Sequence, residues 1–348
     1  MPMDRRHILK SFGALTALPF MSMVARGQNV SGEAGADLQR IADIKPPALK
    51  SGSRIGIACP ASGVTKKELR DFVRLCESFG WIPVLGRNVA KSEGYLSAPD
   101  ADRADELKEF IDDTTIHAIV CARGGYGVMR ILPLLDYRAI GEAGKLIMGF
   151  SDITALLVAV NQLSGVVTFH GPVATSSFDS FTVQSFASTV TAEKEIRKYR
   201  DDKLTVIAEG FGRGRLTGGN LSMVVATLGT NYEIQTEGSI LFLEEIDEEP
   251  YRIDRMLTQL WLAGKLQKCN GIALGNFKNC ELKGRSTTYP SYRLHEVLQD
   301  RLRPLGIPVV YGLPFGHVKS KLTLPLGVEA ELDATNRSLQ VLETAVTA

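Results

Sequence analysis

Short apolar runs alternate with longer amphipathic segments from Ser53 onwards, and this alternation limits the possible folds more than any other feature of the sequence. A buried strand is indicated by the run Arg54-Ile55-Gly56-Ile57-Ala58-Cys59, whereas residues 66–79 carry apolar side chains at helical spacing. Strands that alternate with helices form a parallel sheet with helices on both faces. We therefore expect an α/β protein in which residues 50–180 form an N-terminal, Rossmann- or flavodoxin-like parallel-sheet domain.

The second half of the chain predicts a separate domain, since 348 residues exceed what one compact core usually holds. Residues 181–205 are polar and have no strong period, and we interpret them as a linker. We expect residues 206–348 to form a smaller, β-rich mixed α/β domain. Within it, the glycine-rich segment 214–221 is interpreted as a turn leading into an apolar helix, and Pro250 is expected to begin a helix that ends near Gly264.

The first 30 residues are predicted to be an export signal and not part of the fold. Arg5 and Arg6 stand just ahead of the weakly apolar segment 11–25, an arrangement that resembles a twin-arginine signal. A chance pair of arginines is the alternative interpretation. We therefore expect a periplasmic or otherwise extracytoplasmic protein that is exported through the twin-arginine route.

Composition narrows the classes of function. Hydrophobic residues make up 44% and charged residues 23% of the chain, as in ordinary soluble globular proteins. The net charge is +1, and no basic block indicates nucleic acid as a partner. No apolar run reaches the ~20 residues that a membrane-spanning helix requires. The five cysteines have no CxxC spacing, and neither a metal nor another cofactor is expected.

A serine at the junction of a strand and a helix is the clearest indication of chemistry. The tetrapeptide Gly149-Phe150-Ser151-Asp152 joins the apolar run 145–148 to the helix-like segment 153–160. Such a turn exposes the serine hydroxyl beside the backbone N–H groups that begin the helix, which suits a nucleophile. The alternative is that Ser151 is a helix N-cap and that Asp152 complements the helix dipole.

A serine nucleophile needs a general base, and histidine is the usual one. One of the five histidines lies in the predicted signal, two are interpreted as surface or structural residues, and two follow apolar strands beside glycine. In this order they are His7, then His117 and His295, then His170 and His317. Sequence spacing alone does not rank the last two.

Glu244 is the favoured carboxylate for orienting the base. It ends the apolar run 239–243, at the position where α/β proteins place functional side chains. The acidic residues within 245–249 precede the helix that begins at Pro250, where capping and dipole residues are common.

With these residues in place, the chain resembles the LD-carboxypeptidase family of serine peptidases, which includes murein tetrapeptide carboxypeptidases. The resemblance spans about residues 53–335 and rests on several motifs in the expected order. These motifs are Arg123-Gly-Gly-Tyr-Gly127, Gly149-Phe-Ser-Asp-Ile-Thr154, Gly218-Gly-Asn-Leu221, Leu243-Glu-Glu245 with Glu249-Pro-Tyr-Arg252, Gly312-Leu-Pro-Phe-Gly-His317 and Thr323-Leu-Pro-Leu-Gly327.

The resemblance implies a role for each member of a catalytic triad. It makes Ser151 the nucleophile, His317 the general base and Glu244 the residue that orients the histidine, and so favours His317 over His170. The implied reaction is hydrolysis of the L,D amide between a diamino acid and terminal D-alanine in a murein peptide. It also implies a homodimer.

The surroundings of the triad are predicted in less detail. The backbone N–H groups of Asp152 and of Gly125, with its neighbour Gly124 as the alternative, are expected to bind the oxyanion. We expect substrate contacts from four further residues: Arg123, Gly124, Tyr126 and Asn220.

Two other functions fit parts of the same pattern. A related branch of the family cleaves aminoacyl-nucleotide antibiotics of the microcin C type, but that substrate is cytoplasmic and the predicted export signal argues against it. A non-catalytic periplasmic binding protein would also have two α/β lobes around a cleft. It would not require a serine at a strand-to-helix turn together with a remote histidine and glutamate.

Overall fold

Two β-sheets organise the fold in a computed structural model of the protein, which describes residues 44–191, 198–282 and 291–348. The predicted export signal, residues 1–30, lies outside the described residues. In chain order, the elements of the first part are β1 (Arg54–Ala58), α1 (Arg70–Ser78), β2 (Ile82–Leu85), α2 (Asp100–Asp112), β3 (Ala118–Cys121), α3 (Val128–Ile131), α4 (Tyr137–Ala143), β4 (Leu146–Gly149), α5 (Thr154–Ser164), β5 (Thr168–His170) and α6 (Ser180–Val190).

The remaining elements follow the same order along the chain. They are β6 (Lys198–Arg200), β7 (Thr205–Ala208), β8 (Phe211–Asn220), α7 (Leu221–Ala226), β9 (Ser239–Ile246), α8 (Pro250–Leu262), β10 (Gly271–Lys278), α9 (Leu294–Leu302), β11 (Val309–Tyr311), β12 (Leu324–Leu326), β13 (Glu329–Asp333) and β14 (Ser338–Val341). Short 3₁₀ turns lie at Leu132–Leu134, Ser151–Ile153 and Arg303–Leu305.

The first sheet is the predicted parallel one. Its strand order is β2-β1-β3-β4-β5-β12, in which the first five strands are parallel to one another and β12 is antiparallel to β5. Alternate side chains of β3 pack into two separate apolar cores, with Ile119 in one and Ala118 and Val120 in the other. Because successive side chains of a strand point to opposite faces, both faces of this sheet are covered. The predicted α/β architecture is therefore confirmed.

The second sheet is mixed and has eight strands, in the order β6-β14-β13-β8-β9-β10-β11-β7. Strands β8 to β11 form a parallel centre, and antiparallel strands complete both edges. The mixed, β-rich character predicted for this half is confirmed, and its sheet has two more strands than the first. The helix predicted from Pro250 is present and ends at Leu262.

The glycine-rich segment predicted as a turn is the end of strand β8. Its neighbours explain the difference, since β9 and β13 flank it and supply hydrogen-bonding partners on both sides. Glycine allows this close packing: a Cβ at Gly218 would lie 1.9 Å from the Phe242 carbonyl oxygen. Glycine weakens an isolated strand, so local propensity indicates a turn where the tertiary structure has a sheet.

The segment predicted as a linker contains helix α6. Asp179 caps this helix by accepting a hydrogen bond from the Thr182 N–H at 2.9 Å. Phe186 and Val190 bury its apolar side, while Thr182 and Ser185 are buried polar residues on the same helix. Buried polar residues weaken the apolar period, which explains why the sequence pattern does not reveal the helix.

Segments from one half of the chain also pair with strands or segments of the other half. Strand β12 comes from the second half and pairs with β5 at the edge of the first sheet. Isolated bridges pair Ile44 with Val166 and Pro47 with Thr347. The first sheet is therefore completed by residues far beyond the predicted boundary at residue 180.

Candidate active site

Ser151 lies at the carboxyl end of β4, in the 3₁₀ turn that leads into α5. Its backbone has φ of +65°, in the left-handed region that a residue with a side chain rarely adopts. No side-chain capping bond forms at the start of this turn or of α5. The N-cap interpretation of Ser151 is therefore wrong, because the strained turn directs the hydroxyl elsewhere.

The Ser151 hydroxyl faces His317, which follows β11. His317 Nε2 lies 3.2 Å from Ser151 Oγ, and Nδ1 lies 2.7 Å from Glu244 Oε2. A carboxylate can only accept hydrogen bonds, so the proton is assigned to Nδ1, and this N–H donates a hydrogen bond to Glu244 Oε2. In the neutral ring this leaves Nε2 as the acceptor for the serine hydroxyl.

Glu244 reaches the histidine from the carboxyl half of β9, in the second sheet. Its side chain is fully buried, while the side chain of His317 is 16% exposed. The chain passes very close to the carboxylate, since a Cβ at Gly316 would lie 2.4 Å from Glu244 Oε2. Gly316, at φ of +94°, thus permits the approach that brings His317 to Glu244.

The other histidine beside a glycine, His170, is the last residue of β5 and lies next to this site. His170 is 1% exposed and packs edge-on against Phe150, Phe242 and Phe315. Among the described residues neither of its ring nitrogens has a hydrogen-bonding partner. Burial lowers the pKa of His170 to about 4, although the nearby Glu244 carboxylate opposes the change. It is therefore neutral at pH 7 and does not contact Ser151 as His317 does.

A lysine and His317 both lie close to the ring of Phe150. The Phe150 ring packs 4.9 Å from the His317 ring, and Lys321 Nζ lies 4.6 Å from the Phe150 centroid. Burial lowers the pKa of Lys321 to about 8, and the Glu244 carboxylate opposes this shift.

The loop 123–127 lies beside the serine, as predicted. Gly124 packs against it so closely that a Cβ would lie 2.8 Å from Ser151 Cβ. Arg123, Gly125 and Tyr126 are exposed on the same loop. These three residues therefore remain available to a bound substrate.

Asn220, the fourth predicted contact residue, is engaged within the fold. Its Oδ1 accepts a hydrogen bond from the Met223 N–H and caps α7, and its Nδ2 donates to Glu245 at 3.0 Å. The residue is only 4% exposed. These contacts account for Asn220 as a capping residue, and the prediction that it contacts substrate gains no support from them.

Sequence analysis missed Arg103, which is fully buried on α2. Its guanidinium donates to the Gly127 carbonyl at 3.0 Å, at the end of the loop beside Ser151. The sequence nevertheless contains an indication of its burial, because Arg103, Leu107 and Phe110 are spaced so that they share one face of a helix. A charged residue on an apolar helical face is unusual unless it has buried partners.

Other kinds of site find no support within 44–191, 198–282 and 291–348. There, no group of three or more histidine, cysteine, aspartate or glutamate side chains is arranged to hold a metal ion. All five cysteines are buried free thiols. In the same ranges no helix has the length and apolar character needed to cross a membrane.

Comparison with known families gives matches in both halves of the chain. A model of the LD-carboxypeptidase N-terminal domain matches residues 55–171, and a model of the LD-carboxypeptidase C-terminal domain matches residues 213–332. The chain is 36% identical over 309 residues to the probable murein peptide carboxypeptidase of Bacillus subtilis, which covers 87% of this chain and 95% of that protein.

Solved structures share the fold over most of its length. The muramoyltetrapeptide carboxypeptidase of Oxalobacter formigenes is 32% identical, with a TM-score of 0.73 over 83% of this chain and 98% of that one. MccF in complex with glutamyl sulfamoyl guanosine is 26% identical, with a TM-score of 0.80 over 87% of this chain and 100% of that one.

Proposed function

Because the chain belongs to the LD-carboxypeptidase family, we propose that it is a serine peptidase that releases terminal D-alanine from murein tetrapeptides. The bond cleaved is the L,D amide between the diamino acid and D-alanine. The observation that carries this proposal is the hydrogen-bonded series from Ser151 through His317 to Glu244. Murein peptides as substrates are supported by the name of the Bacillus subtilis relative.

Acylation is the first half of the proposed reaction. His317 Nε2 takes the hydroxyl proton as Ser151 Oγ bonds to the carbonyl carbon, and the carbonyl oxygen becomes an oxyanion. Backbone N–H groups of Gly125 and Asp152 stabilise this charge, where one donor is typically worth ~3 kcal/mol. The C–N bond then breaks, and the imidazolium gives its proton to the amine of the departing D-alanine.

Deacylation reverses the roles with water as the nucleophile. His317 takes a proton from water, whose oxygen attacks the acyl carbon, and the imidazolium returns a proton to Ser151 Oγ as the ester breaks. The products are the tripeptide carboxylate and regenerated enzyme. The Glu244 carboxylate stabilises the imidazolium that forms twice in each cycle.

Mass spectrometry of purified protein with tri-, tetra- and pentapeptides from murein tests the proposal. We expect D-alanine to be released from the tetrapeptide alone. Ser151→Ala and His317→Ala should each lower kcat by at least ~10³-fold, because triad residues act as a unit. Ser78→Ala and His295→Ala are matched controls at exposed positions and should leave kcat unchanged. Normal turnover by His317→Ala would exclude it as the general base.

A second candidate is cleavage of an aminoacyl-nucleotide, favoured by the TM-score of 0.80 with MccF. MccF is a microcin C7 self-immunity protein. The same mechanism would act on this substrate, so Ser151 and His317 variants do not distinguish the two. The two functions are distinguished by parallel assays of wild-type protein with an aminoacyl sulfamoyl nucleoside and with tetrapeptide. We expect turnover of the peptide only.

Localisation and assembly complete the proposal. We propose export through the twin-arginine route, which Arg5 and Arg6 support, and replacing both by lysine should retain the protein in the cytoplasm. We also propose a homodimer, as the family resemblance implies. Light scattering should then give twice the chain mass.

A further inference from the structure

One peptide group of the loop beside Ser151 is held at both of its polar atoms. The carbonyl of Gly127 accepts a hydrogen bond from Arg103 Nη1 at 3.0 Å. The N–H of Val128, which belongs to the same peptide group, donates to Asp152 Oδ2 at 2.9 Å. A cation therefore binds the negative end of this peptide dipole and an anion binds its positive end, the arrangement in which charge-assisted hydrogen bonds are strongest.

Arg103 ties this peptide to two other loops at the same edge of the first sheet. Its Nη1 also donates to the Pro60 carbonyl after β1, and its Nε donates to the Ala98 carbonyl at 3.1 Å. Asp100 accepts from Nη2 and supplies the opposite charge. A fully buried guanidinium is costly unless its donors are satisfied, and here three carbonyls and a carboxylate satisfy them.

Asp152 joins the same peptide to the nucleophile. It directly follows Ser151, is 4% exposed and lies in the 3₁₀ turn before α5. Its backbone N–H is a proposed oxyanion donor, while its side chain holds the loop that carries the other donor, Gly125. Gly124, between these parts, already contacts Ser151.

We propose that Arg103 and Asp152 are positioning residues that clamp the Gly127–Val128 peptide and thereby fix the loop 123–127 relative to Ser151. The catalytic consequence rests on the proposed function: the clamp keeps the N–H groups of Gly125 and Asp152 at the separation that the oxyanion requires. Preorganised donors are effective because they need no rearrangement as charge develops. A displacement of about 1 Å can cost ~10²-fold in rate.

Asp152→Asn is the principal test, because it keeps the size of the side chain and removes its charge. We expect kcat for the tetrapeptide to fall at least ~10-fold while KM changes less than about threefold, since the donors bind the transition state more strongly than the substrate. We also expect faster hydrogen exchange in the segment 123–128, while the urea midpoint of global unfolding stays at the wild-type value. Arg103→Lys, which cannot reach all of its carbonyl partners with one ammonium, should show the same pattern if it folds.

Glu233→Gln is the matched control. Glu233 also accepts a hydrogen bond from a backbone N–H, that of Gly229 at 2.8 Å, and it pairs with Lys265. It precedes β9, whose far end carries Glu244, so its loss should change neither kcat nor exchange in 123–128.

The outcomes separate the clamp from the proposed reaction. Unchanged exchange in 123–128 of Asp152→Asn, or an equal loss of kcat in Glu233→Gln, would overturn the clamp. If wild-type protein does not cleave the tetrapeptide but Asp152→Asn still exchanges faster in 123–128, the clamp stands and the proposed function fails. If exchange rises and kcat does not fall, the loop is clamped without consequence for catalysis, which overturns the catalytic part of the inference.

Discussion

Two histidines lie at the candidate site, and burial separates what each can do. His317 is partly exposed and hydrogen-bonds to both Ser151 and Glu244. His170 is enclosed by phenylalanine rings, so a proton on its ring would be a charge in an apolar environment. The first suits reversible protonation during catalysis, whereas the second must stay neutral for the fold to be stable.

His170 should make the folded state sensitive to acid. Its pKa is about 4 in the folded state against an ordinary 6.5, so between these values the unfolded chain binds a proton that the folded chain does not. Stability is therefore lost as the pH falls from 6.5 to 4, by about 3 kcal/mol for the full shift. His170→Phe removes the titrating group, and urea unfolding at pH 7, 5.5 and 4.5 should show a smaller acid loss than in wild type.

His295→Gln provides the comparison, because His295 is exposed on α9. Its unfolding free energy should follow that of wild type at each pH. A His170→Phe variant that loses as much stability in acid as wild type would contradict the assignment of a neutral buried His170.

At the scale of single residues, the sequence pattern indicated the types of residue in the site better than it indicated which of them contact one another. Ser151 was predicted at the carboxyl end of a strand, where the structure has it. Glu244 was predicted to end its strand, whereas β9 continues to Ile246. Spacing could not choose between His170 and His317, because each stands next to a glycine near an apolar run in the sequence and the structure brings both near Glu244. Their different burial arises from the packing of Phe242 and Phe315, which lie in other elements.

Helix α6 holds the segment that follows His317. Thr182 Oγ1 donates to the Lys319 carbonyl at 3.3 Å and accepts from the Lys321 N–H at 3.0 Å. Ser185 Oγ accepts from the Thr323 N–H at 2.9 Å. Side chains of α6 thus hydrogen-bond to the backbone between His317 and β12, as a neighbouring strand would in a sheet.

Thr182→Val should therefore weaken both the fold and the reaction. The change keeps the shape of the side chain and leaves the Lys319 carbonyl and the Lys321 N–H without this partner, at a cost of ~1–3 kcal/mol. We expect kcat to fall several-fold as His317 becomes less well positioned. Urea unfolding and tetrapeptide kinetics measure the two effects.

Thr189→Val is the control on the same helix. Among the residues that the structure describes, the Thr189 hydroxyl donates within α6, to the Ser185 carbonyl at 2.7 Å. This variant should lose less stability and retain the wild-type kcat. Equal losses in both variants would show that α6 does not position the segment after His317.

The local sequence pattern predicted the helices and strands that bury apolar side chains. It failed where a helix or strand buries polar side chains. The strands of the first sheet and the helix from Pro250 have clear periods. Helix α6 does not, because the hydroxyls of Thr182 and Ser185 take the place of apolar side chains. Arg103 is also a buried polar residue that the sequence pattern missed. Its partners are backbone carbonyls of loops that are distant in the sequence, and helical spacing does not predict such contacts.

The two sheets share chain segments, and this arrangement bears on how the whole molecule unfolds. Strand β12 leaves the second half of the chain, joins the first sheet and is followed directly by β13 of the second. Lys45 pairs with Glu343 at 2.5 Å, and Thr347 donates to the Pro46 carbonyl at 2.9 Å. Residues 41–348 also form one compact unit. Neither sheet can lose its structure without removing strands or contacts from the other.

We therefore expect one cooperative unfolding transition. The two tryptophans report on different sheets, because Trp81 precedes β2 and packs against Phe186 at 5.7 Å, while Trp261 lies on α8 in the second half. Trp261→Phe and Trp81→Phe each leave a single reporter. In each variant, urea midpoints from fluorescence and from far-UV circular dichroism should agree within about 0.2 M, as two-state unfolding requires.

Comparing the probes within one variant avoids any bias from the stability lost when the buried Trp81 is replaced. A fluorescence midpoint that departs from the circular-dichroism midpoint in either variant would mean that the sheets unfold separately, as two independent domains would.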